Sequence, residues 1–154
     1  MSRLIVCALS ATLVLAVAAC GGSEAEPTAA EYARAVVTAV DRTDYALARV
    51  TRAKSMDELV KRMTEAGVVI SAAANELAEH GAPSVYTEEN EKLVNSLETL
   101  GNDVTSTAEQ LQQPGSETLL TGAQGLSFDS WDEANLALGS LIGSGLPVQT
   151  LQRH

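Results

Sequence analysis

Beyond its first 27 residues the chain alternates long stretches of helical apolar spacing with short polar breaks that carry Gly or Pro. From Ala29 to about Arg52, the positions Tyr32, Val36, Val40 (or Ala39), Thr43, Leu47 and Val50 recur every three or four residues and share one helix face. A second run, Met56 to about His80, carries Leu59, Met63, Ala66, Ile70, Ala73 and Leu77 in alternating steps of four and three, the spacing of a seam against a partner helix. Gly81 ends that run and Pro83 prevents its continuation. The third helix is expected to begin between Ser84 and Thr87 and to reach about Gln113. Its inward positions are Tyr86, Leu93, Leu97, Leu100, Val104, Thr107 and Leu111, with Asn90 as a polar interruption. Gly101 falls inside this pattern, where it is expected to be tolerated at about 1 kcal/mol relative to Ala.

Pro114-Gly115 stops the third helix, and residues 116–127 read as a loop with one turn around Leu119-Leu120. A shorter fourth helix is expected from Trp131 to about Ile142, burying Trp131, Ala134, Leu138 and Leu141, followed by a loosely packed tail over 143–154. Three Ser/Thr-x-x-Glu stretches, Thr28–Glu31, Ser55–Glu58 and Ser130–Glu133, have the form of a capping box just before a helical pattern. No stretch alternates strictly in steps of two, as a half-buried strand would. The expected fold is all-α, an antiparallel up-down helical bundle of three long helices plus a shorter fourth. Short connections between long helices favour antiparallel neighbours. A three-helix bundle with a C-terminal wrap is the alternative.

The N-terminus has a different character. Arg3 is followed by an apolar run, Leu4 to Val17, and then by Val17-Ala18-Ala19-Cys20-Gly21-Gly22. A basic residue, a short apolar segment and small residues at a cleavage point form a secretory signal. The cysteine directly after the small residues resembles the lipobox of bacterial lipoproteins. That resemblance covers the first 22 residues only. It implies that Val17, Ala18 and Ala19 form the cleavage-site recognition and that Cys20 takes a thioether-linked diacylglyceryl group, palmitate-like in character, and becomes residue one. The run is shorter than the roughly 20 apolar residues of a membrane-spanning helix. Two acyl chains retain a protein firmly, at about 0.8 kcal/mol per buried methylene. The organisation that follows is a signal peptide over 1–19, a lipidated N-terminus and flexible tether over 20–27, and a helical domain over 28–154. The expected location is the outer face of the cell membrane, or an outer membrane in a host with two.

Removing 19 of the 154 residues leaves 135, enough for one domain with its own core. Both cysteines, Cys7 and Cys20, are then spoken for, so packing and not disulfides must stabilise the fold. Loss of Arg3 takes the net charge from −10 to −11, a balance that disfavours nucleic acid as a partner. The mature chain has Tyr32, Tyr45, Tyr86, Phe128 and Trp131 as its aromatics; a core of Ala, Leu and Val suits closely approaching helices more than a wide pocket.

The residues offer little catalytic chemistry. Gly-x-Ser-x-Gly, Gly-rich phosphate-loop and zinc spacings are absent from the sequence. His80 follows Glu76 by four and Glu79 by one, but a bundle di-metal site needs Glu-x-x-His on each of two helices. A histidine at a helix C-terminus is explained by the helix dipole, as are Glu88, Glu89 and Glu91 at a helix start. No metal or other cofactor is therefore expected. One charge pattern does carry a functional idea. Arg42, Arg49, Arg52, Lys54, Lys61 and Arg62 are six of the ten Lys and Arg residues, gathered around the first helix–helix turn. Glu76 to Glu117 is strongly acidic by contrast. In an up-down bundle the basic turn lies far from the tether, and Arg49, Arg52, Lys54, Lys61 and Arg62 become a candidate patch for a cell-wall anion or an acidic protein surface. The function expected is a non-enzymatic, lipid-anchored interaction or envelope-organising module. A small apolar ligand or lipid carrier is the first alternative, and a carboxylate-dependent cell-wall enzyme the second.

Overall fold

The computed structural model describes residues 26–113 and 128–153. Val17 to Cys20, and the loop expected over 116–127, lie outside the described residues. Four α-helices account for most of what is described: α1, Ala29–Val50; α2, Met56–His80; α3, Thr87–Leu111; and α4, Asp129–Gly143. A 3-10 turn, Ser84–Tyr86, leads directly into α3. Among the described residues there is no strand, and no helix is long and apolar enough to cross a membrane.

The helix starts follow from their caps. Thr28 is extended, its hydroxyl accepts from the Glu31 N–H at 3.2 Å, and the Glu31 carboxylate accepts in return from the Thr28 N–H at 2.9 Å. This is the full capping box expected at α1. At α2 the Ser55 hydroxyl accepts from the Glu58 N–H at 3.2 Å, but the Glu58 carboxylate reaches one residue further back, to the Lys54 N–H at 2.8 Å. The third expected box is not formed. Ser130 lies inside α4, and its hydroxyl donates to Asp103 of α3 at 2.6 Å. A buried serine facing a carboxylate on the next helix is satisfied across the interface and is not available to cap its own helix.

Helix packing is sequential, α1 on α2, α2 on α3 and α3 on α4, around one apolar core. The expected inward stripes are buried nearly throughout: Tyr32, Val36, Val40, Thr43 and Val50 on α1; Met63, Ala66, Ile70, Ala73 and Leu77 on α2; Leu93, Leu97, Leu100, Val104 and Leu111 on α3; Ala134, Leu138 and Leu141 on α4. Leu47, Leu59 and Trp131 are only partly covered, at the margins of the core. Named contacts fix how the helices lie. Arg42 pairs with Glu76 and Arg49 with Glu65; Gly101 meets Gly67 and Ser71; Ser130 meets Asp103.

Two further expectations need correction. Gly101 is not merely tolerated. It faces Gly67 across the α2–α3 crossing, where the backbones come too close for side chains. The tail is not loose either: Leu146 and Leu151 are each 3% exposed and belong to the core. An apolar residue in a polar tail removes surface from water wherever a seam accepts it, and here two do so.

Candidate functional site

Three regions concentrate the polar contacts and clefts of the domain. The first is the end where the chain enters the domain. The Glu26 carboxylate accepts a hydrogen bond from the Ser84 N–H, and Tyr32 stacks on Tyr86 with ring centroids 5.8 Å apart and planes 22° from parallel. Beneath the stack the Tyr32 hydroxyl donates to Asn90 Oδ1 at 3.1 Å. Burial, followed by the charge of Glu89, pushes the Tyr32 phenol well above its ordinary value. The start of α1 is thus locked to the α2–α3 turn. Residues 21–25 separate Glu26 from Cys20, a reach of roughly 20 Å when extended.

The second region is the basic turn between α1 and α2. Of the five residues in the expected patch, Arg49 bonds Glu65 at 2.9 Å, and Arg62 bonds both Glu58 at 2.5 Å and the Arg49 carbonyl at 2.6 Å. Glu58 is held below its ordinary carboxylate range, first by the Lys54 N–H and then by the nearby charge of Arg62. Arg49, Glu58, Lys61, Arg62 and Glu65 line a cleft of about 170 Å³. Arg52, Lys54 and Lys61 are exposed, and their side chains form no ion pair among the described residues. The structure therefore brings the patch together but divides it: two arginines are committed to carboxylates, and three bases face water. Arg42 stands apart from them, further along α1 and paired with Glu76.

The third region comprises two shallow grooves. One, of about 300 Å³, runs between α1 and α2 over a floor of Ala35, Ala39 and Ala73, with Arg34, Arg42 and His80 on its rim beside Glu31 and Glu76. The other, of about 440 Å³, lies between α3 and α4 and is edged by Lys92, Asn95, Glu133 and Leu136. Leu136 is 72% exposed, the largest apolar side chain on that rim. His80 ends α2 with Nδ1 3.2 Å from the Gly81 carbonyl, and Glu88 pairs with Lys92 at 2.6 Å. Among the described residues no three His, Cys, Asp or Glu side chains are grouped to hold a metal ion.

Sequence reasoning passed over three features that the structure makes prominent. Asn90 is a partner for a buried phenol, a role its place within an apolar stripe hinted at. Gly67 gave no signal on its own, because a glycine in a helix acquires meaning only from what lies opposite. Asp41, Asp44 and Asn135 receive the tail, and only Leu146 and Leu151 hinted that the tail had somewhere to go. No protein-family model, no curated protein and no solved structure matches this chain.

Proposed function

We propose that this protein is a bacterial lipoprotein whose helical domain is held at the outer face of a membrane by acyl chains on Cys20 and acts there as a non-enzymatic interaction or envelope-organising module. The single observation that carries the reading is Val17-Ala18-Ala19-Cys20 behind Arg3 and an apolar run. The arrangement of the domain is consistent with it. Arg42 with Glu76 and Arg49 with Glu65 pair rising numbers on α1 with falling numbers on α2, and Gly67 beside Thr105 with Ser71 beside Gly101 do the same for α2 and α3, which supports an antiparallel up-down arrangement of the three long helices. In that bundle the tether enters at the α2–α3 turn. The basic turn stands one length of α1 away, about 33 Å for its 22 residues. Arg52, Lys54 and Lys61 then project from the far end, where a cell-wall anion or an acidic protein surface is the partner their charge suits.

A carrier of small apolar ligands is the second reading, favoured by the groove beside exposed Leu136. Metabolic labelling with an alkyne fatty acid in the native host tests the leading one. Label is expected on the wild type, which fractionates with membranes; Cys20→Ser loses both. A bare thiol on Cys20, or an intact leader found by mass spectrometry, overturns it.

A further inference from the structure

Positive charge on this domain runs well beyond the first helix–helix turn. Arg34, Thr38, Arg42, Tyr45 and Arg49 follow one another in steps of three or four residues, so they share one outward stripe of α1. From Arg34 to Arg49 the stripe is about 22 Å long, at 1.5 Å per residue, and Arg52 follows just past the helix end. Two clefts lie in tandem beside it, where α1 meets α2. The groove of about 300 Å³ has Arg34, Thr38 and Arg42 on its α1 edge, and the cleft of about 170 Å³ has Arg49. Between Arg42 and Arg49 stands Tyr45, an aromatic side chain 67% exposed that the core does not use. Of the ten Lys and Arg residues, all but Arg3, Lys92 and Arg153 belong to α1, α2 or the turn between them.

The carboxylates beside these clefts are already engaged, Glu31 by Thr28, Glu58 by Arg62, Glu65 by Arg49 and Glu76 by Arg42. A guanidinium has five N–H donors, so Arg42 and Arg49 keep donors for a further anion. Arg34 gives its Nε to the Ala30 carbonyl at 3.3 Å and forms no ion pair among the described residues. Exposed pairs are weak singly, and a ligand that brings several anionic groups at once gains from each contact in turn. Charge alone suits any polyanion. Tyr45 adds a flat apolar face with a polar tip, and the Ala35, Ala39 and Ala73 floor lets a ring or polyol unit approach closely, chemistry that a bare row of charges does not use. We infer that the α1–α2 face is a track for a linear polyanion of sugars or polyols joined by phosphodiesters. Arg34, Arg42 and Arg49 hold phosphates along it, Tyr45 stacks on an intervening sugar, and the bases of the turn receive the chain's continuation. The inference rests on the reading of the basic turn as an anion-docking surface, but not on lipidation of Cys20, which fatty-acid labelling tests separately.

The test uses the protein purified from its native host and three probes of matched charge: a sugar-substituted poly(ribitol phosphate), inorganic polyphosphate and polyglutamate. Calorimetric titration is expected to find saturable binding of the first that weakens with salt. Arg34→Gln, at the end of α1 away from the turn, is expected to weaken it about ten-fold. Tyr45→Ala is expected to weaken binding of the sugar-bearing polymer about five-fold and to leave that of polyphosphate unchanged. Lys92→Gln, on α3, is expected to alter neither. All three replaced side chains are exposed, so helical circular dichroism and melting are expected to match the wild type. Binding that is lost in the Arg52→Glu, Lys54→Glu, Lys61→Glu variant but indifferent to Arg34→Gln and Tyr45→Ala keeps the turn as a docking surface and overturns the track. Equal affinity for polyglutamate, with Tyr45→Ala without effect, makes an acidic protein surface the partner and overturns it as well. Absence of binding to all three probes overturns the track and the basic-turn reading together.

Discussion

Gly67 of α2 and Gly101 of α3 face each other so closely that a Cβ on Gly67 would come within 2.7 Å of the Gly101 carbonyl oxygen, and one on Gly101 within 2.9 Å of the Gly67 carbonyl oxygen. Each contact is with backbone, which cannot swing aside as a side chain does. Helix propensity favours Ala over Gly by about 1 kcal/mol, but forcing a methyl into a tight crossing costs about 1–3 kcal/mol. The second effect wins here. Gly67→Ala and Gly101→Ala are expected to lower the urea midpoint, while Gly139→Ala, with nothing within 4 Å of its Cβ, is expected to raise it. An increase for all three would mean that the crossing is looser than described.

This contrast marks the limit of what the sequence discloses. Periodicity located all four helices of the described residues, because burying an apolar face imposes a pattern on one chain segment at a time. It could not tell Gly101 from a tolerated glycine, since the reason for Gly101 is Gly67, 34 positions earlier. Ser130 misled for the same reason: its spacing to Glu133 has the form of a box, but Asp103 on another helix takes its hydroxyl. The tail was misjudged because two leucines among polar residues have no period, and their burial depends on a seam built from α1 and α4. Of the candidate site, charge clustering was readable from the order of the bases along the chain. Which bases are already paired was readable only in part: Arg62 with Glu58 is an i, i+4 pair on one helix, whereas Glu65 reaches Arg49 only through the fold.

Tyr32 makes the domain sensitive to alkali. Its phenol is held above the ordinary value of 10.0 chiefly by burial, so above that pH the unfolded chain loses this proton while the folded one keeps it. Stability contributed by the neutral phenol is complete below pH 10 and declines as pH rises further. Spectrophotometric titration is expected to find one tyrosine that ionises only with loss of helical structure. Tyr32→Phe is expected to remove that sensitivity while costing about 1–3 kcal/mol at neutral pH, because Asn90 Oδ1 loses its buried donor. Ionisation of all the tyrosines without unfolding would contradict the buried hydrogen bond.

Thr28 is expected to stabilise α1 in a pH-dependent way. Thr28→Ala removes the one hydroxyl that both accepts from the Glu31 N–H and donates to the Glu31 carboxylate at 2.7 Å. Loss of such an N-cap costs about 1 kcal/mol. Hydrogen bonds from Thr28 hold the Glu31 carboxyl below its ordinary 4.5, so the part that depends on its charge is present above that value and fades as pH falls below it. Thermal melts of wild type and variant are expected to differ most at neutral pH and to converge partly in acid. A gap that widens in acid would show that the box does not involve the carboxylate.

Charge reversal separates the free bases of the first turn from the paired ones. Exposed ion pairs contribute about 0–1 kcal/mol, so Arg49→Gln is expected to leave stability nearly unchanged despite its bond to Glu65. Arg62→Gln reaches further, since Arg62 also donates to the Arg49 carbonyl and ties α2 to the last turn of α1. If the outward cations dock an anionic partner, retention of the protein on purified anionic cell wall is expected to fall as salt shortens the screening length from about 10 Å at 0.1 M. The triple variant Arg52→Glu, Lys54→Glu, Lys61→Glu is expected to abolish retention with unchanged melting, because none of the three side chains holds an ion pair among the described residues. Retention that survives both high salt and the triple reversal would remove the basic turn as a docking surface.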